Sequence, residues 1–248
     1  MATASPSQQI DACMLIDLHN HTWPRSHDSV LDPKDLAIRA KEAGLDGISF
    51  TEHDALWPHD EVQKIAEEVG IVIIPGCEVS TDPGHILAWG MEKYVFGMHR
   101  VERLAEHVNE RGGALVLAHP YRRQIAWKDN RDDWDIAVER AIRNSAMEHV
   151  IALEILNGRG KERENRFSGD LAAASGMNGT AGTDSHAVHD IGKVATWFET
   201  DSIETWQDLV RELKAGNFCA VDMETGEEFA IPSRPPKFRI VGASAGGS

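Results

Sequence analysis

Only three cysteines occur in 248 residues, Cys13, Cys77 and Cys219, an odd number with no close spacing. This argues against a disulfide framework and against a cysteine-based zinc site, and a reducing cytoplasm is the expected home. No apolar run reaches the length of a membrane span. Met1 to Cys13 carries neither the basic region nor the apolar stretch of a secretion signal, so a soluble, unexported chain without a membrane partner is expected. Positive charge is also short: 25 Lys and Arg against 40 Asp and Glu leave a formal charge of −15. That balance repels a nucleic-acid backbone unless bound cations reverse the local field. Extended nucleic acid is thereby disfavoured as a partner, and a short oligonucleotide is the most that is expected.

What is present is ordinary in bulk, with 42% hydrophobic and 26% charged residues, and enough for one large domain with a sizeable core. The expected layout is a flexible tail over 1–13, a barrel domain over 14–241, and a tail or appended linker of Gly, Ala and Ser over 242–248. Between Leu15 and Val221 short apolar runs alternate with amphipathic stretches, the rhythm of β–α units around a mostly parallel sheet. Strands are expected at Leu15–Leu18, Gly47–Thr51, Ile71–Pro75, His85–Trp89, Ala114–Ala118, Val150–Leu156, Thr180–Gly182 and Phe218–Val221. Helices are expected at Pro33–Ala43, with Asp32 as N-cap and Gly44 as terminator, and at Glu61–Val69, His99–Arg111, Lys161–Ser175 and Ile203–Ala215. About seven such units favour a closed barrel over an open sheet. Ile231–Pro236 reads as an irregular surface excursion.

The chemistry gathers where strands finish. His19 and His21 close the first, Glu52, His53 and Asp54 the second; Glu78 follows the third, His119 the fifth, and Thr183-Asp184-Ser185-His186 ends the strand near Thr180. Barrels build their sites at that end. One His-x-His pair is weak, and any of these histidines alone could be a surface residue, but several strand ends repeating the pattern point to metal ligands. Imidazole and carboxylate donors suit zinc, manganese or iron, and a carboxylate such as Glu78 can bridge two ions. His59, His99, His107 and His149 fall outside the pattern, and His189 and Asp190 are either supporting partners or a solvated loop.

Taken in order, Asp17-Leu18-His19-Asn20-His21-Thr22, Thr51-Glu52-His53-Asp54, Gly76-Cys77-Glu78, Ala118-His119-Pro120 and Gly182-Thr183-Asp184-Ser185-His186 resemble the motifs of the polymerase-and-histidinol-phosphatase (PHP) family, over nearly the whole span from Leu15 to Val221. The resemblance implies an α/β fold, a distorted (β/α)7 TIM-like barrel with its site at the C-terminal ends of the strands. It implies two to three divalent ions, Mn, Fe or Zn, as a trinuclear centre. Carried over by position, His19, His21, Glu78 and Asp184 would surround a first ion. Glu78 would bridge to a second, held also by His85 and His119, and His27, His53 and His186 would hold a third.

The implied activity is phosphoric ester hydrolysis, since bound ions make water nucleophilic at neutral pH and neutralise phosphoryl oxygens. Expected substrates are small: a nucleotide, a short oligonucleotide or another phosphorylated metabolite, mono- or diester. Arg122 and Arg123 are candidates to grip the phosphate, with less support for Arg159 and Lys161. Asp54 and His186 are candidates to protonate the leaving group. Tyr121, Trp23, Trp57 and Trp127 lie in loops at or near this end and could stack a base or an aryl group. Two alternatives stay open: the same cluster hydrolysing phosphotriesters, lactones or amides, or a barrel that binds metal without catalysis.

Overall fold

The structure is a computed structural model and describes residues 13–126, 128, 130–226 and 228–229. The expected tails apart from Cys13, together with Trp127 and the 231–236 stretch, lie outside the described residues. One sheet holds β1 (Met14–Asn20), β2 (Gly47–His53), β3 (Val72–Thr81), β4 (Gly84–Trp89), β5 (Ala114–Leu117), β6 (Ala152–Asn157), β7 (Asn178–Gly182), β8 (Val194–Phe198), β9 (Phe218–Asp222) and β10 (Glu228–Phe229). Around it lie the helices α1 (Pro33–Glu42), α2 (His59–Val69), α3 (Val101–Glu110), α4 (Arg131–Ile142), α5 (Glu162–Ser175) and α6 (Trp206–Ala215). Among the described residues no helix is long and apolar enough to cross a membrane.

Local chemistry accounts for the element ends. The Asp32 carboxylate accepts the amides of Lys34 and Asp35, and Pro33 opens α1 where its missing N–H costs nothing. At the far end of the molecule Thr205 and Asp208 cap α6 reciprocally, and Gly216 ends it at φ 76°. Between β3 and β4, Thr81 pairs with Gly84 across a two-residue Asp82-Pro83 turn, so the strands form a hairpin with no intervening helix.

That hairpin corrects one expectation. β4 runs antiparallel to both β3 and β5, so the β–α alternation breaks there while β1–β2–β3 and β5–β6–β7 remain parallel. Reversal carries His85, at the start of β4, to the same end of the barrel as residues at the ends of parallel strands. Three further elements were not expected: β8, β10 and α4.

The strand order β10-β9-β8-β1-β2-β3-β4-β5-β6-β7 closes on itself in two stages. At the site end β7 meets β1 directly, through the Asn20–Ser185 bridge and the Asp184 N–H to His19 O bond of 2.8 Å. Lower down β8 fills the gap: it pairs with β1, and its buried Thr196 hydroxyl accepts the Ala181 amide and donates to the Ala181 carbonyl, both at 2.9 Å. One side chain replaces a ladder rung, which is why the barrel is closed yet distorted.

Inside the barrel Ile16, Leu18, Ile74, Leu87, Trp89, Val116 and Ala152 pack together, and Leu209, Val210 and Leu213 of α6 plug the base. Outside, α1 and α2 cover Ile48, Phe50 and Ile73, while α3, α4 and α5 cover Val79, Ile86, Leu117, Leu153 and Ile155. By alternation Glu78 and Glu154 continue the inward rows of Ile74 and Ala152, so the floor of the site is apolar and its top is acidic. Thr196→Val keeps the shape of that buried side chain but leaves both Ala181 groups unpaired. It should destabilise the protein by about 2–3 kcal/mol in urea denaturation, with Thr196→Ser costing no more than about 1.5 kcal/mol.

Candidate metal centre

Glu78 is buried at the centre of the site, and imidazoles converge on it from five sides. Its Oε1 lies 2.8 Å from His85 Nδ1 and 2.8 Å from His119 Nε2. Its Oε2 lies 2.9 Å from His53 Nδ1, 3.3 Å from His21 Nε2 and 3.4 Å from His19 Nε2, with no hydrogen bond of good geometry. Asp184 Oδ1 approaches His21 Nε2 to 3.3 Å and His19 Nε2 to 3.7 Å. Four triads have donor atoms close enough to share an ion: His19–His21–Asp184, His19–Glu78–His119, His53–Glu78–His85 and His21–His53–His186.

The hydrogen bonds behind the rings test whether cations fit. Glu154 Oε1 can only accept as a carboxylate, so His19 Nδ1 at 2.9 Å carries the proton. Ser26 donates its hydroxyl proton to Glu52, so its oxygen accepts from His21 Nδ1 at 3.1 Å. Both rings therefore turn bare Nε2 lone pairs inward, and those two nitrogens stand 3.0 Å apart. Two acceptors at that distance repel unless a cation or a proton lies between them. The donor set fits divalent metal.

Electrostatics agrees. Burial works to raise the Glu78 pKa, yet His19, His119 and His21 overcome it and hold the carboxyl well below the usual range. Asp184 is likewise held low against its burial by His19 and His21. Burial works to lower His19, but Glu154, Glu78 and Asp184 raise it well above an ordinary histidine. His119 and His186 go the other way, both pushed down first by burial. The negative potential that would retain a proton on His19 is the same potential that attracts a cation, and metal binding there releases the proton.

Backbone strain marks the same place. Among the described non-glycine residues, positive φ occurs at Asp54 (49°), His119 (28°), Arg123 (66°) and Asp184 (54°), three of them just past strand ends. Each of those three is pinned: Asp54 N donates to Glu78 O at 2.9 Å and Asp184 N to His19 O at 2.8 Å, while His119 N donates to Glu154 Oε2 at 2.8 Å.

Residues 17–154 match the PHP domain and residues 162–218 the PHP-associated segment. The chain belongs to the PHP family. An uncharacterised protein of Methanocaldococcus jannaschii is 28% identical over 117 residues, 44% of this chain and 68% of that one. A 5'-3' exoribonuclease of Haemophilus influenzae is 39% identical over 66 residues, 27% of this chain and 23% of that one. A two-domain Bacteroides vulgatus protein containing a predicted PHP-like metal-dependent phosphoesterase superposes with TM-score 0.60 at 18% identity, covering 85% of this chain. This chain spans 65% of that protein's length. PHP membership and a donor set that cations reconcile together support metal-dependent hydrolase chemistry.

Within the PHP site the expected ligands His19, His21, His53, Glu78, His85, His119, Asp184 and His186 come together, but His27 does not. It is exposed on the loop after β1 and meets Trp23 edge-on at 6.1 Å. Its neighbour Asp28 occupies the expected position, with Oδ2 3.2 Å from both His53 Nε2 and His186 Nε2. The loop turns so that the carboxylate, one residue later, faces inward.

The other candidates separate as well. Arg122 donates to Asp184 Oδ2 at 2.7 Å, and Arg159 Nη1 lies 2.7 Å from His186 Nδ1, which also faces the Asp184 carbonyl at 2.8 Å, whereas Arg123 is exposed and Lys161 caps α5. Asp54 Oδ1 accepts the Ser80 amide at 2.9 Å, bracing the β3–β4 hairpin. Asp190 accepts the amides of His186 and Ala187 at 3.1 Å, while His189 stays exposed. Sequence reasoning missed Asp28, Glu154, the Ser26–Glu52 pair and Arg25, whose guanidinium lies 5.0 Å over Trp57. Only Glu52 carried a signal, being inside the Thr51-Glu52-His53-Asp54 motif.

Glu154 receives three donors, from His19, His119 N and Asn157 Nδ2. An amide in its place would turn an N–H toward one of them. Glu154→Gln should weaken metal affinity by roughly 10–100-fold in calorimetric titration with the fold intact by circular dichroism. Elemental analysis should find one ion fewer in Asp28→Ala and no change in His27→Ala; the reverse result would restore His27 as the ligand.

Proposed function

We propose that this PHP protein is a metal-dependent phosphoesterase that hydrolyses small phosphorylated substrates. What carries the reading is Glu78, a buried carboxylate shared by several imidazoles, with the bare Nε2 atoms of His19 and His21 beside it. His19, His21, Glu78, His119 and Asp184 would hold divalent cations, and such ions suit phosphoryl transfer. Divalent ions, when bound, supply positive charge against phosphoryl oxygens and the acidity that makes water nucleophilic.

The remaining tasks fall to side chains. Arg122 reaches the site through Asp184, and its second guanidinium edge is available to a phosphate oxygen; Arg159 does the same beside His186. Arg25 adds a third positive group on the loop after β1. Asp54 and His186 read as supporting groups rather than proton donors, since Asp54 braces the hairpin and the His186 ring belongs to the cluster. The surplus of acidic side chains restricts the substrate to small anions drawn in by the cations and arginines. Similarity to part of an exoribonuclease favours nucleotides or the terminus of a short oligonucleotide within that class.

With manganese supplied, hydrolysis of p-nitrophenyl phosphate or its bis ester should fall by roughly 100-fold or more in Glu78→Ala and His119→Ala. Arg122→Ala should mainly raise KM, by roughly tenfold, with less effect on kcat. Turnover that survives both ligand substitutions, or that never depends on metal, would sink the phosphoesterase reading.

A further inference from the structure

Of the aromatic residues expected at the metal end and described here, two are committed to the protein itself. Tyr121 is buried beside His119. Trp57 packs on Phe50 and donates its indole N–H to Thr22 and Glu52, each at 2.9 Å. Trp23 is different: its side chain is 54% exposed, on the rim two residues beyond ligand His21. Val30, 79% exposed, lies on the same loop. An exposed indole on the same loop as an exposed valine is an unfavourable surface unless something apolar covers it.

The loop bearing Trp23 is held, not loose. Trp23 N donates to Leu31 O at 2.8 Å, Ser26 N to Thr22 O at 2.8 Å and Val30 N to His186 O at 3.0 Å. Ser29 ties it to His21 O at 2.8 Å. Across the corner the exposed His27 ring stands 6.1 Å from the Trp23 ring and inclined at 64°, so the pair forms a floor and a wall. From the same loop Asp28 faces the His53–His186 group and Arg25 lies over Trp57.

We infer that Trp23, with His27 at its side, is the platform on which the aromatic ring of the leaving group, the base of a nucleoside or an aryl ring, stacks while the phosphate sits at the metal centre. The platform gives His27 a role at the position where it makes no contact with the cluster. It also adds to the phosphoesterase reading, on which it rests, a selection among esters. The platform is tied to the ligand segments, since Val30 N donates to His186 O and Trp23 lies two residues after His21, and the positive groups nearby suit the phosphate that such a leaving group carries.

The test compares wild type, Trp23→Ala and Trp23→Phe, loaded with manganese, on AMP, p-nitrophenyl phosphate and glycerol 2-phosphate. Stacking lost from one base predicts a KM for AMP and p-nitrophenyl phosphate raised roughly tenfold in Trp23→Ala and largely restored in Trp23→Phe. Glycerol 2-phosphate should be unaffected in both. Adenosine should quench tryptophan fluorescence in wild type and not in Trp23→Phe, a readout that needs no turnover. Equal losses on all three esters, or none on AMP, overturn the platform. So does a KM that stays fixed while Trp23→Ala turns a dimer into a monomer in sedimentation, which would make the corner a contact between copies of this chain. Should wild type cleave none of the esters, the phosphoesterase reading fails by itself and the quenching decides the platform: quenching that persists in Trp23→Phe overturns it.

Discussion

A carboxylate removed from water has to be met by donors or by cations, and the structure is organised around how that requirement is met at Glu78. Five imidazoles approach it, but the two whose protons can be located point them elsewhere, toward Glu154 and Ser26. Hydrogen bonding among these groups cannot satisfy them all. Divalent ions can, because each accepts several lone pairs at once and offsets the cost of burying the carboxylate.

The acidic groups form two tiers with different work. Glu78, Asp184 and Asp28 face the cluster. Glu154, Glu52, Asp17 and Asp190 stand behind it and accept from the rings, hydroxyls and amides that hold the inner tier in place. Asp17 receives the Thr183 amide at 2.9 Å, which fastens the end of β7 to β1; burial raises its carboxyl to about 6 in spite of these bonds. The contacts that close the barrel are thus the contacts that orient the ligands, and strained backbone at Asp54, His119 and Asp184 is stored where both demands meet.

Much of this was legible in order along the chain. Strand-end histidines are visible because strands are short apolar runs with polar residues where they stop, and the PHP motifs retain their order. Asp32, Pro33 and Gly44 announce α1 by local chemistry alone. The hairpin between β3 and β4 was written in Asp82-Pro83-Gly84, a turn signal between two apolar runs, but the regular β–α rhythm on either side hid the reversal. β8 escaped because Val194–Phe198 is five residues long and pairs with a strand 180 or more positions earlier.

What the sequence by itself determined is the inventory and its period: which residues can bind metal, that they recur at strand ends, and that the strands number enough to close. Those properties depend on side-chain chemistry and on alternation along a strand, both local. Tertiary structure alone decided that Asp28 and not His27 faces the cluster, that Glu154 from β6 sets the tautomer of His19 on β1, and that Trp23 is left exposed while Trp57 is not. Each of these depends on how a loop turns or on which strands become neighbours, and the 135 positions between His19 and Glu154 leave no local trace of a contact made only when the sheet closes.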